Sequence, residues 1–184
     1  PFVAINCGGV HRDGLKSELF GHVVGAFTGA VKARTGAFEQ AAGGTLLLDD
    51  ITESEHDFQI QLLQVLQDKV FRRLGGDRDI PSRVRILASA NRDIEDMVQR
   101  GTFREDLFYR LNVMRLHLPP LRDRREDILP LAEAFLIRFS AKYHKPIERF
   151  TQAALLHLEQ SSWRGNIREL EHAISAAVIR CVAP

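Results

Sequence analysis

The chain has 184 residues, of which 45% are hydrophobic and 27% charged, and its 25 basic and 24 acidic residues leave a net charge of +1. This composition describes one globular domain, or one with a small appendage, with enough apolar mass to bury a core. It excludes a nucleic-acid clamp spread over the whole chain, and no apolar run reaches membrane-spanning length.

The first residues, Phe2–Ile5 before Asn6, already read as a strand, so the chain is expected to start inside a fold. Two more apolar runs end in polar residues: Thr45–Leu48 before Asp49 and Asp50, and Val84–Ala88 before Ser89 and Asn91. Runs of this length predict strands buried on both faces of a parallel sheet. Between them, Ile60, Leu62, Leu63, Val65 and Leu66 make a helical stripe, and alternation of strand and helix predicts an α/β fold. A fourth strand is expected at Val113–Leu118, closed by Pro119-Pro120. Beyond a charged connector the pattern turns helical. Leu131, Phe135 and Phe139 recur every four residues, Thr151 is a candidate N-cap for a helix through Gln160, and Leu170, Ala173, Ile174, Ala177, Val178 and Cys181 follow helical spacing. The expected organisation is an α/β part over residues 1–120 and a helical part over 121–184. Cys7 and Cys181 fit neither a metal-ligand spacing nor a disulfide framework, and both are expected to be buried, reduced thiols.

Several segments bear chemistry. Gly25-Ala26-Phe27-Thr28-Gly29-Ala30 is a poor helix and a poor strand and suits a loop. Its Phe27 either folds back onto the core or offers its ring to a partner protein. Asp49 and Asp50 end an apolar strand, where carboxylates hold Mg²⁺ beside a nucleotide, directly or through water, and polarise an attacking water. The competing reading is an Asp-Asp turn capping the next helix. Asn6 and Asn91 end two further strands and either orient a water or phosphate or simply form turns. Arg104 and Arg110 fall on a predicted short helix, where one reading is an arginine finger toward a neighbouring subunit and the other an ordinary Asp106–Arg110 surface pair. Asn166 is a candidate N-cap of the last helix. Arg168, in its first turn, sits where the helix dipole disfavours a cation, so it either binds an anion or pairs with a nearby Glu.

Taken together, the motifs resemble the central AAA+ domain of the sigma-54-dependent transcription activators, the bacterial enhancer-binding proteins. The resemblance covers the chain from Pro1 to Pro184. Ser17-Glu18-Leu19-Phe20-Gly21-His22 followed by Gly25–Ala30 resembles the family signature, and that hexapeptide is highly specific. Gly43–Asp50 resembles its Walker B segment, Phe103–Leu107 with Arg110–Val113 its arginine-finger helix, Leu118–Arg122 its junction to the lid, and Trp163–Leu170 its sensor II region.

The resemblance implies an AAA+ parallel-sheet core with a C-terminal helical lid. It further implies a cytoplasmic bacterial ATPase that uses ATP and Mg²⁺, assembles as a hexameric ring and drives open-complex formation by sigma-54 RNA polymerase. By position, Asp49 is implied to hold Mg²⁺, Asp50 to polarise water, Asn6 to be the switch residue, Asn91 sensor I, Arg104 and Arg110 the trans-acting fingers, and Arg168 sensor II. Residues Gly25, Ala26, Phe27, Thr28, Gly29 and Ala30 are implied to contact sigma-54, with a supporting loop near Leu74-Gly75-Gly76. DNA is expected to be bound only by a module outside this chain. No Gly-x-x-x-x-Gly-Lys-Ser/Thr occurs. In the family that loop lies just upstream of the strand at Pro1, so truncation is the expected reason. Asp50 stands where the family usually has Glu, Val23 where it commonly has Glu, Ala90 where it has Thr and Arg164 where it has Pro. Those departures motivate an alternative: a hydrolysis-poor sigma-54 interaction or regulatory module with a degenerate nucleotide site.

Overall fold

A computed structural model describes residues 1–9 and 12–181. It divides into two compact units, Pro1–Arg115 and Leu116–Pro184. The first unit contains β1 (Phe2–Asn6), α1 (Arg12–Phe20), β2 (Gly21–His22), β3 (Arg34–Thr35), α2 (Ala37–Gln40), β4 (Thr45–Asp49), α3 (His56–Asp68), β5 (Val70–Phe71), β6 (Ile80–Pro81), β7 (Arg85–Ala88), α4 (Ile94–Gln99) and α5 (Glu105–Leu111). The second contains α6 (Ile128–Lys142), α7 (Gln152–Gln160) and α8 (Asn166–Arg180).

Among the described residues, β1, β4 and β7 form a parallel sheet in that order. The register sets Asn6 opposite Asp49 and Leu48 opposite Ala88. The carboxyl ends of all three strands therefore meet at one edge, which is where open α/β sheets place their ligands. Of the strands expected to be buried on both faces, central β4 comes nearest: Leu46 and Leu48 on one face are fully buried, and Leu47 on the other is half-buried. The expectation fails for β1 and β7, which are edge strands here, and Phe2 is exposed. The core lies around β4, where Phe38, Phe58, Leu62, Leu19, Phe103 and Leu107 pack. Phe20 stacks on Phe38 with ring centres 5.7 Å apart, and Phe38 meets Phe71 at 5.2 Å. Gly36 is required by close approach: a Cβ there would lie 2.3 Å from the backbone of both Phe20 and Gly21.

The strand expected at Val113–Leu118 does not form. Among the described residues its backbone joins no ladder, and Val113, Met114, Leu116 and Leu118 stand exposed. An apolar run becomes a strand only when a neighbouring strand pairs its N–H and C=O groups.

In the second unit, Leu121, Ala132, Leu136, Phe139, Leu158, Trp163, Leu170, Ile174 and Val178 make one core. Pro130 is tolerated because it lies in the first turn of α6, where no preceding carbonyl is needed. Thr151 caps α7 as expected, its hydroxyl accepting from Ala154 N–H. Asn166 is not the cap of α8. Gly165 holds that position, and its N–H donates to Glu169 Oε2 at 2.8 Å. Asn166 is the first helical residue at φ 56°, and its Oδ1 accepts from Leu121 N–H at 2.8 Å, so the amide fastens the Leu121–Asp123 turn instead.

Candidate nucleotide site and partner loop

The site is built at the aligned strand ends. Asp49 closes β4, and its backbone carbonyl accepts from Cys7 N–H at 2.8 Å. Its Oδ1 accepts from the Ser89 hydroxyl. No hydrogen bond or ion pair to its Oδ2 is formed among the described residues. Asp50 follows in the left-handed region, φ 55° and ψ 49°, which turns the chain sharply into the short 3₁₀ turn Ile51–Glu53. Asp tolerates that conformation better than most residues. Although Asp50 precedes this turn, its side chain makes no capping hydrogen bond, so the Asp-Asp capping alternative is not what forms. Asn6 bends its amide onto its own loop, with Oδ1 accepting from Gly8 N–H at 2.8 Å. Asn91 Oδ1 accepts from Thr52 Oγ at 3.0 Å, and Arg92 pairs with Glu53 at 2.9 Å, so the loop after β7 is tied to the turn after β4. Asn6, Asp49, Asp50 and Asn91 thus come together at one sheet edge.

The donor set fits Mg²⁺ held with a nucleotide and not a dedicated metal cage. No group of three metal-ligating side chains occurs among the described residues. Mg²⁺ beside phosphates needs only one or two carboxylates, the rest of its octahedron being water and phosphate oxygen. Asp49, with one oxygen fixed by Ser89 and the other unengaged among the described residues, has that form.

Cys7 is buried beside this edge. Burial, and then the charges of Asp49 and Asp50, push its thiol up to about 12. At pH 8 about one molecule in ten thousand then carries the reactive thiolate. Iodoacetamide mapped by mass spectrometry should leave Cys7 unmodified in the folded protein at pH 8 and label it fully in denaturant; rapid native labelling would show that the thiol is neither buried nor raised. Cys181, expected to be buried, is only half-buried.

Arg104 is not on the helix that the sequence suggested but at the position that precedes α5. Its guanidinium grips Asp106 twice, at 3.0 and 2.7 Å, and reaches His56 Nε2 at 3.4 Å. That grip holds the Asp106 carboxyl below its ordinary range. The surface pair expected between Asp106 and Arg110 is therefore replaced by Arg104–Asp106, while Arg110 donates to the Leu66 carbonyl at 3.2 Å. Sequence reading missed Gln59, which is fully buried within the apolar face of α3. Its Oε1 accepts from Arg104 N–H at 2.9 Å and its Nε2 donates to Ser54 C=O at 3.0 Å, which sets where Arg104 leaves the chain. An uncharged amide in an apolar stripe was the available signal. Arg168 is exposed in the first turn of α8 in the second unit, and its side chain makes no hydrogen bond or ion pair among the described residues; the expected Glu partner is absent there, since Glu169 binds Gly165 N–H.

The glycine-bounded loop rises from the β2–β3 pair, in which His22 lies opposite Arg34. Gly25 and Gly29 adopt φ 79° and 99°, and Gly25 N–H bonds Ala30 C=O at 2.9 Å, closing the loop on itself. Phe27 does not fold back into the core. It meets the edge of the His22 ring, 5.0 Å away, and stays 37% exposed between exposed Val24 and Val31. His22 is itself fixed by Ser17 Oγ at 2.7 Å and by donating from Nε2 to Lys32 C=O at 2.8 Å. The Leu74-Gly75-Gly76 loop packs beside it: Val23 N–H donates to Leu74 C=O at 3.1 Å, and a Cβ on Gly75 would lie 2.9 Å from Ala26 Cα.

Comparisons with known proteins agree with this layout. A family model described as the sigma-54 interaction domain matches residues 1–117, and one described as an AAA+ ATPase lid domain matches residues 122–183. The chain is 51% identical over its whole length to the regulatory protein AtoC of Escherichia coli K12, covering 40% of that protein. It is 50% identical to the Nif-specific regulatory protein of Azotobacter vinelandii, with 97% of this chain and 34% of that protein covered. Crystal structures of NtrX from Brucella abortus, in complex with ADP and with ATP, superpose with a TM-score of 0.88 at 36% identity, covering 97% of this chain and 39% and 40% of theirs. The chain thus spans about two fifths of the length of such relatives.

Proposed function

The chain belongs to the sigma-54 interaction domain family and carries an AAA+ ATPase lid domain, and from that premise we propose that it is the ATP-driven part of a sigma-54-dependent transcription activator. The observation that carries this reading is the parallel register that sets Asn6 beside Asp49 at the edge where Asp50 and Asn91 also stand. ATP and ADP bound to NtrX support a nucleotide at that edge.

In this proposal Asp49 holds Mg²⁺, directly or through water; bound there, the ion neutralises charge on the β- and γ-phosphates. Asp50 aligns and polarises the attacking water, Asn6 is the switch residue that engages that acidic side chain, and Asn91 is sensor I, which senses the γ-phosphate. Arg104 and Arg110 reach the nucleotide of the neighbouring subunit in a hexameric ring, and Arg168 is the sensor II residue. Gly25–Ala30 contacts sigma-54 through Phe27 and Thr28, supported by the loop at Leu74-Gly75-Gly76, and hydrolysis moves that loop to open the promoter. DNA is held by a module outside this chain, and the protein works in the bacterial cytoplasm; no described helix is long and apolar enough to cross a membrane.

The test is ATP turnover by the full-length protein with and without Arg104→Ala. A trans-acting finger is worth about 10³-fold or more in turnover. Among the described residues the Arg104 guanidinium is engaged by the surface partners Asp106 and His56, and alanine keeps the backbone N–H that Gln59 holds, so the substitution leaves the subunit fold intact. A fall of about 10³-fold with an unchanged circular dichroism spectrum is expected. Unchanged turnover contradicts the finger role, and wild-type turnover at background level favours the hydrolysis-poor alternative that Asp50 motivates.

A further inference from the structure

We propose that Ser89, to which neither the family signature nor the strand-end pattern gives a role, is the positioning residue of the nucleotide site, an inference that rests on the ATPase reading above. One hydroxyl bridges both carboxylate-bearing residues. Ser89 Oγ donates to Asp49 Oδ1 and accepts from Asp50 N–H at 3.0 Å. Its backbone locks the same corner from both sides: Ser89 N–H donates to Leu48 C=O and Ile51 N–H donates to Ser89 C=O, each at 2.9 Å. The hydroxyl has a single proton. Spending it on Asp49 leaves an oxygen lone pair for the Asp50 amide, so the two bonds are compatible.

The consequences are distinct for the two carboxylates. Fixing Oδ1 stops rotation of the Asp49 carboxylate and leaves Oδ2 as the oxygen that faces a cation. Holding the Asp50 amide adds to the backbone bonds that keep that residue at φ 55°, and so helps set the direction in which its short side chain projects. Ser89 touches no reacting atom in this arrangement. It acts through Asp49 and Asp50, as outer-shell groups act on metal ligands, where their removal costs about 10–100-fold in metal affinity or activity.

The experiment compares wild type, Ser89→Ala and Ser89→Thr by two readouts. The first is hydrogen exchange of the Asp50 amide by NMR, without nucleotide or metal. The second, in the full-length protein, is kcat, KM for ATP and the Mg²⁺ concentration for half-maximal turnover. For Ser89→Ala, Asp50 amide exchange should rise about tenfold or more, kcat should fall and the Mg²⁺ requirement rise by about 10-fold each, and KM for ATP should stay within about twofold. Ser89→Thr, which keeps the hydroxyl, should restore all of these. Wild-type exchange in Ser89→Ala, or unchanged kcat and Mg²⁺ requirement in an active protein, overturns the positioning role. So does failure of Ser89→Thr to restore while folded. A wild-type protein without turnover overturns the ATPase reading, and with it any role of Ser89 in hydrolysis; the two failures are told apart because amide exchange is read without ATP.

Discussion

Asp49→Asn should reduce ATP turnover by about 10²-fold or more while the protein stays folded. Asn keeps a side-chain carbonyl oxygen in place of Oδ1, so the Ser89 hydroxyl still has its acceptor and the sheet edge keeps its geometry. The negative charge is lost. A neutral amide is a poor partner for Mg²⁺, which favours carboxylates and phosphate oxygens, and the electrostatic stabilisation of the transferring phosphoryl group goes with it. Initial-rate phosphate release, with circular dichroism as the folding control, measures the effect. Turnover within about threefold of wild type would show that Asp49 is not the metal ligand.

Phe27→Ala should uncouple the two activities. Its ring meets the edge of the His22 ring at 5.0 Å, stays 37% exposed and is not part of the core cluster. Truncation therefore removes a surface aromatic pair worth about 1 kcal/mol and leaves the core intact. The nucleotide edge is built from Asn6, Asp49, Asp50, Ser89 and Asn91, none of which bonds to the loop, so basal turnover should stay within about twofold. At a protein interface an aromatic anchor is commonly worth 2 kcal/mol or more, about 30-fold in affinity or beyond. Sigma-54 binding and promoter opening should both fall by at least that factor. Equal loss of turnover and opening would place Phe27 in the ring assembly or the nucleotide site instead.

Much of the layout was legible because the signals were local. The apolar runs before Asn6, Asp49 and Ser89 became β1, β4 and β7 with boundaries within a residue or two. Helix α8 followed its 3.6-residue apolar pattern, burying Leu170, Ile174 and Val178. What could not be read depends on partners distant in sequence. Ser89 and Asp49 lie 40 residues apart and meet only through the β4–β7 register. Asn91 finds Thr52 across 39 residues, and Gln59 finds the Arg104 amide across 45. The run at 113–118 has strand-like composition, yet composition cannot supply a ladder partner. Asn166 and Asp106 have capping and pairing chemistry with more than one taker: Asn166 bonds Leu121 across 45 residues, while Asp106 pairs with Arg104 two residues before it instead of Arg110 four residues after.

The nucleotide edge and the Phe27 loop belong to the same unit, and the central claim is that hydrolysis at one works the other. The direct measurement is promoter melting by sigma-54 holoenzyme with the full-length protein, comparing ATP with an ATP analogue that cannot be hydrolysed. The expected result is opening with ATP alone, abolished by Asp49→Asn, with the analogue supporting binding but no melting. Equal melting with the analogue, or full melting by Asp49→Asn, contradicts the claim that this chain is an ATP-driven motor acting on sigma-54.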